Sequence, residues 1–445
     1  MRELVSGVLA CRCIVLLVFL FAETLFAQTS HELSADPNAP VPGGGLECEP
    51  GCADPPSSDA TGKPLYVPAL NGGGLIALGS AKKPQLFYGG TFSYGWNSNI
   101  GATPDGESGT VITMSPFFGM EAKTDKASYL LQYQPTITTS GSNSIPGGVF
   151  QHFTGDVVGQ IDERWSWKFN ASATYGQNFQ RFLAPPQTVA FGDVVATSPN
   201  AAAYSVGSGA VTLVDAGANF QFKKSERDSY NFYLGNSYNH FSGTNDDNNI
   251  ATLQVAYSRQ LTPRTNLQAY GQSFYEYGTL SCASLGAGMG LVIQLRQQTT
   301  LEFRGGPELN SGACGKQQGF AFHAAVARRL SGRSQLYLLV DRQFGTLYLG
   351  PGLWQDNGSA GYQRRLTLLS TINIDSGYVR TDALSSAASY RGVFVGVVYS
   401  YQLKKSLTPS VSYRFYSGTS GAAGVTQNVV LFSITWSPSH GRLSN

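Results

Sequence analysis

The stretch Trp165-Ser166-Trp167-Lys168-Phe169-Asn170-Ala171-Ser172-Ala173-Thr174-Tyr175 alternates without a break. Its odd positions are aromatic or apolar and its even positions polar. Side chains of an extended chain point to opposite faces in turn, so this period predicts a β-strand with one apolar face and one polar face. Two more stretches repeat the pattern. Leu285, Ala287, Met289, Leu291, Ile293 and Leu295 alternate with Gly286, Gly288, Gly290, Val292, Gln294 and Arg296. Val393, Val395, Val397, Tyr399 and Tyr401 alternate with Phe394, Gly396, Val398, Ser400 and Gln402. Segments of this kind run about 10–14 residues, the length of a tilted strand crossing a bilayer. Lipid is expected to meet the first set in each case and a lumen the second.

Outward from these stretches the same period holds from Gln85 to Trp436. It predicts about 18 strands, opening with 85–97 and 110–123 and closing with 407–417 and 426–437. The even number leaves both ends of the barrel on one side. It gathers short turns such as 162–163, 224–227, 262–264 and 331–333 at the periplasmic rim, and longer connections such as 178–208 and 346–355 at the other. Arg2 and Arg12 aside, the chain has 28 Lys and Arg, and sixteen of them lie in or beside the short turns. Basic side chains are costly at mid-bilayer but nearly neutral at the interface, where anionic headgroups also attract them. An open sheet edge would leave unpaired N–H and C=O groups in hydrocarbon, so the strands must close. The predicted fold is all-β: a closed antiparallel transmembrane β-barrel. Pro116 and Pro135 fall inside two strands and are expected to form bulges.

Composition agrees. Charged residues are only 13% and aromatics 12%, with a net charge of +2. That balance excludes a disordered chain and gives no basic excess for nucleic acid. The mean hydropathy of −0.11 is what two-faced strands average to. Residues 1–27, with two early arginines, the apolar run Ile14–Ala22 and a small Ala27, read as a signal peptide. Residues 28–84 hold nine prolines and two Gly triplets and read as a flexible periplasmic arm. The barrel spans 85–438, and 439–445 form a tail. In an oxidising compartment Cys48 and Cys52, close in the arm, and Cys282 and Cys314, near one rim, are candidate disulfides. Zinc is the weaker reading.

A hairpin repeat runs through the chain: Tyr257-Ser-Arg-Gln-Leu-Thr-Pro-Arg-Thr-Asn-Leu267, Val326-Ala-Arg-Arg-Leu-Ser-Gly-Arg-Ser-Gln-Leu336 and Tyr401-Gln-Leu-Lys-Lys-Ser-Leu-Thr-Pro-Ser-Val411. With its aromatic strand ends and leader, the chain resembles bacterial outer-membrane β-barrel proteins of the porin-like kind. More narrowly, the repeat is similar to uncharacterised barrels associated with exopolysaccharide systems. The resemblance implies an outer-membrane location, with outer-membrane lipids and the barrel-assembly machinery as partners. It implies passage of small polar solutes or a polysaccharide, or alternatively a non-conducting structural or surface barrel. The aromatic C-terminal strand, Val430 to Trp436, fits the assembly signal of such barrels, although nine residues follow it.

The predicted lumen carries Glu121, Asp156, Lys168, Asp215, Glu302, Arg304, Asp341, Asp375 and Arg414. Such charges either form opposed acidic and basic rows that orient a solute or pair into structural salt bridges. His152 and His323 also face this lumen. No cofactor, metal or catalytic residue is expected. His240-Phe-Ser242 is the one hydrolase-like pair, at the spacing seen in outer-membrane phospholipases. A solvated strand end is the ordinary reading of it.

Overall fold

The computed structural model describes residues 84–438 except 101–105, 125, 142–146, 178–186, 192–193, 199–209, 242–245, 279–280, 297, 315–316, 348–349, 383–389, 405 and 421–422. The leader, the arm with Cys48 and Cys52, Ser242 and the tail 439–445 lie outside the described residues.

Among the described residues every element is a strand. In chain order they are β1 (Gln85–Asn97), β2 (Gly109–Lys123), β3 (Ala127–Ser140), β4 (Gly148–Gln160), β5 (Trp165–Gln177), β6 (Gln187–Phe191) and β7 (Val194–Ser198). Then follow β8 (Ala210–Lys223), β9 (Asp228–Phe241), β10 (Asp246–Thr262), β11 (Thr265–Gly278), β12 (Cys282–Arg296), β13 (Thr299–Gly312) and β14 (Gln317–Ser331). The last six are β15 (Ser334–Leu347), β16 (Gly350–Arg365), β17 (Ser370–Asp382), β18 (Tyr390–Tyr401), β19 (Leu407–Ser420) and β20 (Ala423–Trp436). Eighteen of them form one antiparallel ring, each strand beside its neighbour in sequence, and β6–β7 form a separate hairpin. The ring closes where β1 pairs with β20, from Gly90↔Trp436 to Asn97↔Val429. Closure satisfies the edge groups that hydrocarbon would leave unpaired at several kcal/mol each.

The two faces separate as the period of two requires. Phe118, Met289, Phe303 and Phe432 are all more than half exposed on the outside. Ser93, Thr113, Ser284, Asn357 and Gln427 are buried on the inside. Apolar side chains on the surface and amides and hydroxyls within invert the usual order of a soluble core. The surroundings of this surface are therefore lipid. On the turn side the outer face carries an aromatic band, with Trp165 against Phe222 at 4.7 Å and Tyr230 against Tyr257 at 5.2 Å.

The hairpin repeat has a local cause. Thr262 Oγ1 accepts the N–H of Arg264, Ser331 Oγ that of Arg333, Ser225 Oγ that of Arg227 and Thr367 Oγ1 that of Leu369. Asp162 Oδ1 does the same for Arg164. A short polar side chain thus closes each turn two residues ahead of itself. Register shifts sit beside three of the short turns, at Gln260/Thr262, Gln294/Arg296 and Arg329/Ser331, and a fourth lies at Gly345/Leu347 on the opposite rim.

Two expectations need correction. No bulge forms at Pro116 or Pro135. Pairing stops after Met114↔Ile137 and resumes at Phe118↔Tyr133 in unchanged register. That register sets the two prolines opposite each other. Neither has an N–H to give, so the ladder opens without an extra residue. Ser115 and Thr136 bond across the gap through their hydroxyls at 2.9 Å. Segment 346–355 is also no long loop. The strands β15 and β16 extend into it and pair as far as Leu347↔Gly350, so Gly350-Pro-Gly opens β16, and 348–349 lie outside the described residues. The long connection 178–208 contains the unforeseen β6–β7 hairpin, whose β7 comes against β14, β15 and β16.

Candidate functional site: the lumen

The cross-strand registers place all nine predicted charges on the inward face. They fall into two arcs. On the first, Lys168 Nζ lies 3.1 Å from Asp156 Oδ1. One strand on, Asp215 accepts hydrogen bonds from Ser237 Oγ at 2.5 Å and Ser172 Oγ at 3.3 Å. His152 Nδ1 bonds with Thr174 Oγ1 at 2.9 Å on the same wall.

On the second arc, Arg304 Nε lies 2.9 Å from Glu302 Oε1, with His323 Nε2 at 3.9 Å from the same oxygen. Asp341, the register partner of His323, accepts a hydrogen bond from Asn357 Nδ2 at 2.9 Å. Asp375 and Arg414 face each other across Gly396, which is the partner of both. A Cβ at Gly396 would fall 2.7 Å from Asp375 Oδ1, so the missing side chain gives this carboxylate its place. Gly290 does the same for Arg304, whose Cγ would lie 2.6 Å from a Cβ there. The glycine run on β12 is thus a bed for side chains of its neighbours. Glu121 stands apart, buried near the turn-side end of β2. Lys168 and Arg304 pair with acids within their arcs, while Asp215 and Asp341 are held by neutral donors; acids and bases do not form two opposed rows.

On the closing seam itself, the inward residues of β1 and β20 are uncharged. Across the closing seam Thr91 bonds with Thr435 at 3.0 Å and Ser433 Oγ donates to Ser93 Oγ at 2.8 Å. These inward hydroxyls and amides offer water and polar solutes exchangeable partners.

Near the long-loop rim Cys282 and Cys314, the candidate disulfide of the sequence, sit in a cluster whose other members sequence reasoning did not single out. Cys282 and Cys314 are joined by a disulfide with Cα atoms 5.4 Å apart, and they pack with Ala321, Phe344 and Trp354. Glu276, 1% exposed, has a carboxylate oxygen within 4.8 Å of both sulfurs. Glu308 is fully buried and accepts a hydrogen bond from Ser284 Oγ at 2.5 Å. Alternation alone places Glu276 inside, between the outward Tyr275 and Tyr277. Its burial comes from the turn holding Cys314, which no strand pattern announces. His240 lies on the outward face, beside outward Tyr238, and Ser242 is outside the described residues.

The fold and its lumen define a class: a closed transmembrane antiparallel barrel with a polar interior. No protein-family profile matches the chain, and no curated protein matches it in sequence. Solved structures of similar fold include Pseudomonas aeruginosa OccK7 (OpdD), at TM-score 0.45 and 9% identity over 81% of this chain and 100% of that one. Pseudomonas aeruginosa OpdL gives TM-score 0.44 and 9% identity over 81% and 99% of the two chains. The siderophore receptor PirA from Pseudomonas aeruginosa gives 0.39 and 9% over 80% and 81%.

Proposed function

We propose that the protein is a channel of the bacterial outer membrane that passes small polar solutes without catalysis. One observation carries this reading: eighteen strands enclose an inward face of hydroxyls, amides and paired charges. A ring of that size has room for an aqueous path, and a wall of that chemistry is wetted. A non-conducting barrel of the same size would be better served by an apolar, interlocked interior.

The β6–β7 hairpin narrows the path. It leaves the ring between β5 and β8, fifth and sixth in ring order, and reaches β14 to β16, twelfth to fourteenth. Small molecules rather than folded chains are the cargo of such an aperture. A saccharide, the narrower cargo implied by the exopolysaccharide resemblance, would meet the same hydroxyl-lined wall.

Conductance across a planar bilayer tests the reading. Purified protein should open steps of defined size in potassium chloride, and removal of 187–198 should enlarge them. A silent bilayer with correctly folded protein would refute the channel.

A further inference from the structure

We infer that this channel selects cations over anions, and that Asp215 and Asp341 set the preference. The inference rests on the channel reading. Its ground is the way each inward charge is matched. Lys168 is paired with Asp156, Arg304 with Glu302, and Arg414 faces Asp375 across Gly396. Each base of the mid-height wall therefore has a carboxylate beside it. Lys123, Lys223, Arg329 and Arg365 also point inward by register, but they stand at strand ends on the turn side.

Asp215 and Asp341 differ. Asp215 is held by two serine hydroxyls and Asp341 by an asparagine amide. Arg304, the register partner of the His323 that stands beside Asp341, is already engaged by Glu302. Neutral donors fix a carboxylate in place and leave its charge uncancelled.

Their position gives that charge its effect. Asp215 lies eight residues from the turn-side end of β8 and Asp341 seven from that of β15, so both stand near mid-strand. In ring order β8 is sixth and β15 thirteenth, which sets them on facing walls. The β6–β7 hairpin reaches the wall that carries Asp341. Two negative charges on opposite sides of a narrowed aqueous path raise the local concentration of cations and exclude anions. The favoured organic solutes are accordingly small amines and neutral polar molecules, with free carboxylates and phosphates disfavoured.

Reversal potential in a potassium chloride gradient tests this. The intact protein should show a potassium-to-chloride permeability ratio of several-fold. The ratio should rise as salt is lowered, because the screening length grows from about 10 Å at 0.1 M to about 30 Å at 0.01 M. The double variant Asp215→Asn, Asp341→Asn keeps both hydrogen-bonding shapes and should bring the ratio near one. Asp341→Glu should retain the selectivity, and each single Asn variant should lose part of it, which covers a double variant that fails to fold. A channel that prefers chloride, or one whose preference survives both Asn substitutions, overturns the inference while leaving the channel intact. A protein that conducts nothing removes the channel reading and this inference together.

Discussion

Gly396 shows how one residue can govern a charge it does not carry. The Asp375 carboxylate occupies the space a side chain would take, on the line toward Arg414. Gly396→Val should push that carboxylate aside and separate it from Arg414. The displaced group is the mobile end of a side chain, so urea unfolding in vesicles should move by no more than about 1 kcal/mol. The potassium-to-chloride ratio should stay close to its starting value, because one carboxylate and one base are released together. The Cys282–Cys314 bridge is a second case. It spans 32 residues of sequence. Closing a loop of that length is worth roughly 3–4 kcal/mol in the chain-entropy account. Cys282→Ser with Cys314→Ser should lower unfolding stability by up to that amount. Peptide mapping without reductant should recover the bridge, and free thiols at both positions would contradict it.

At the scale of the strand, the two faces make opposite predictions for the same substitution. Met289 is outward and mid-strand, so Met289→Arg should cost about 2–4 kcal/mol in vesicle unfolding. Gln272, inward on the adjacent strand, should accept Arg at well under half that cost. Equal costs would mean the faces are misassigned. The strands were legible because alternation is a local property. Trp165 to Tyr175 states its own faces, and the register of one hairpin then fixes those of the next. Pairings between side chains were less legible. Asp375 and Arg414 are 39 positions apart, and only the two registers through Gly396 bring them together. The β6–β7 hairpin was missed for another reason. Its strands are five residues each, too short for a period of two to stand out from a loop rich in small residues.

For the whole molecule, the sidedness of the turns is the testable property. Ser225 lies in a short basic turn and Glu107 in the connection between β1 and β2 at the other end of the ring. A cysteine at Glu107 should react with an impermeant thiol reagent on intact cells, and one at Ser225 only after permeabilisation. The reverse would invert the barrel in the membrane. The ring is also uneven in its joints. β1 holds β2 through thirteen register pairs but β20 through eight, because Gln85 to Gly89 pass the last strand without a partner on it. Beyond β1 and β2, the ladder to β3 opens where Pro116 and Pro135 meet, and on the far side β14 and β15 share nine register pairs. A cylinder with one joint thinner than the rest does not fail at random. Under mechanical load at its ends, it should part first between β1 and β20. Amide exchange should follow the same order, fastest along that joint, next at β14–β15 and slowest along the longer ladders. The seam that joins the two ends of the sequence is thus the ring's natural zip.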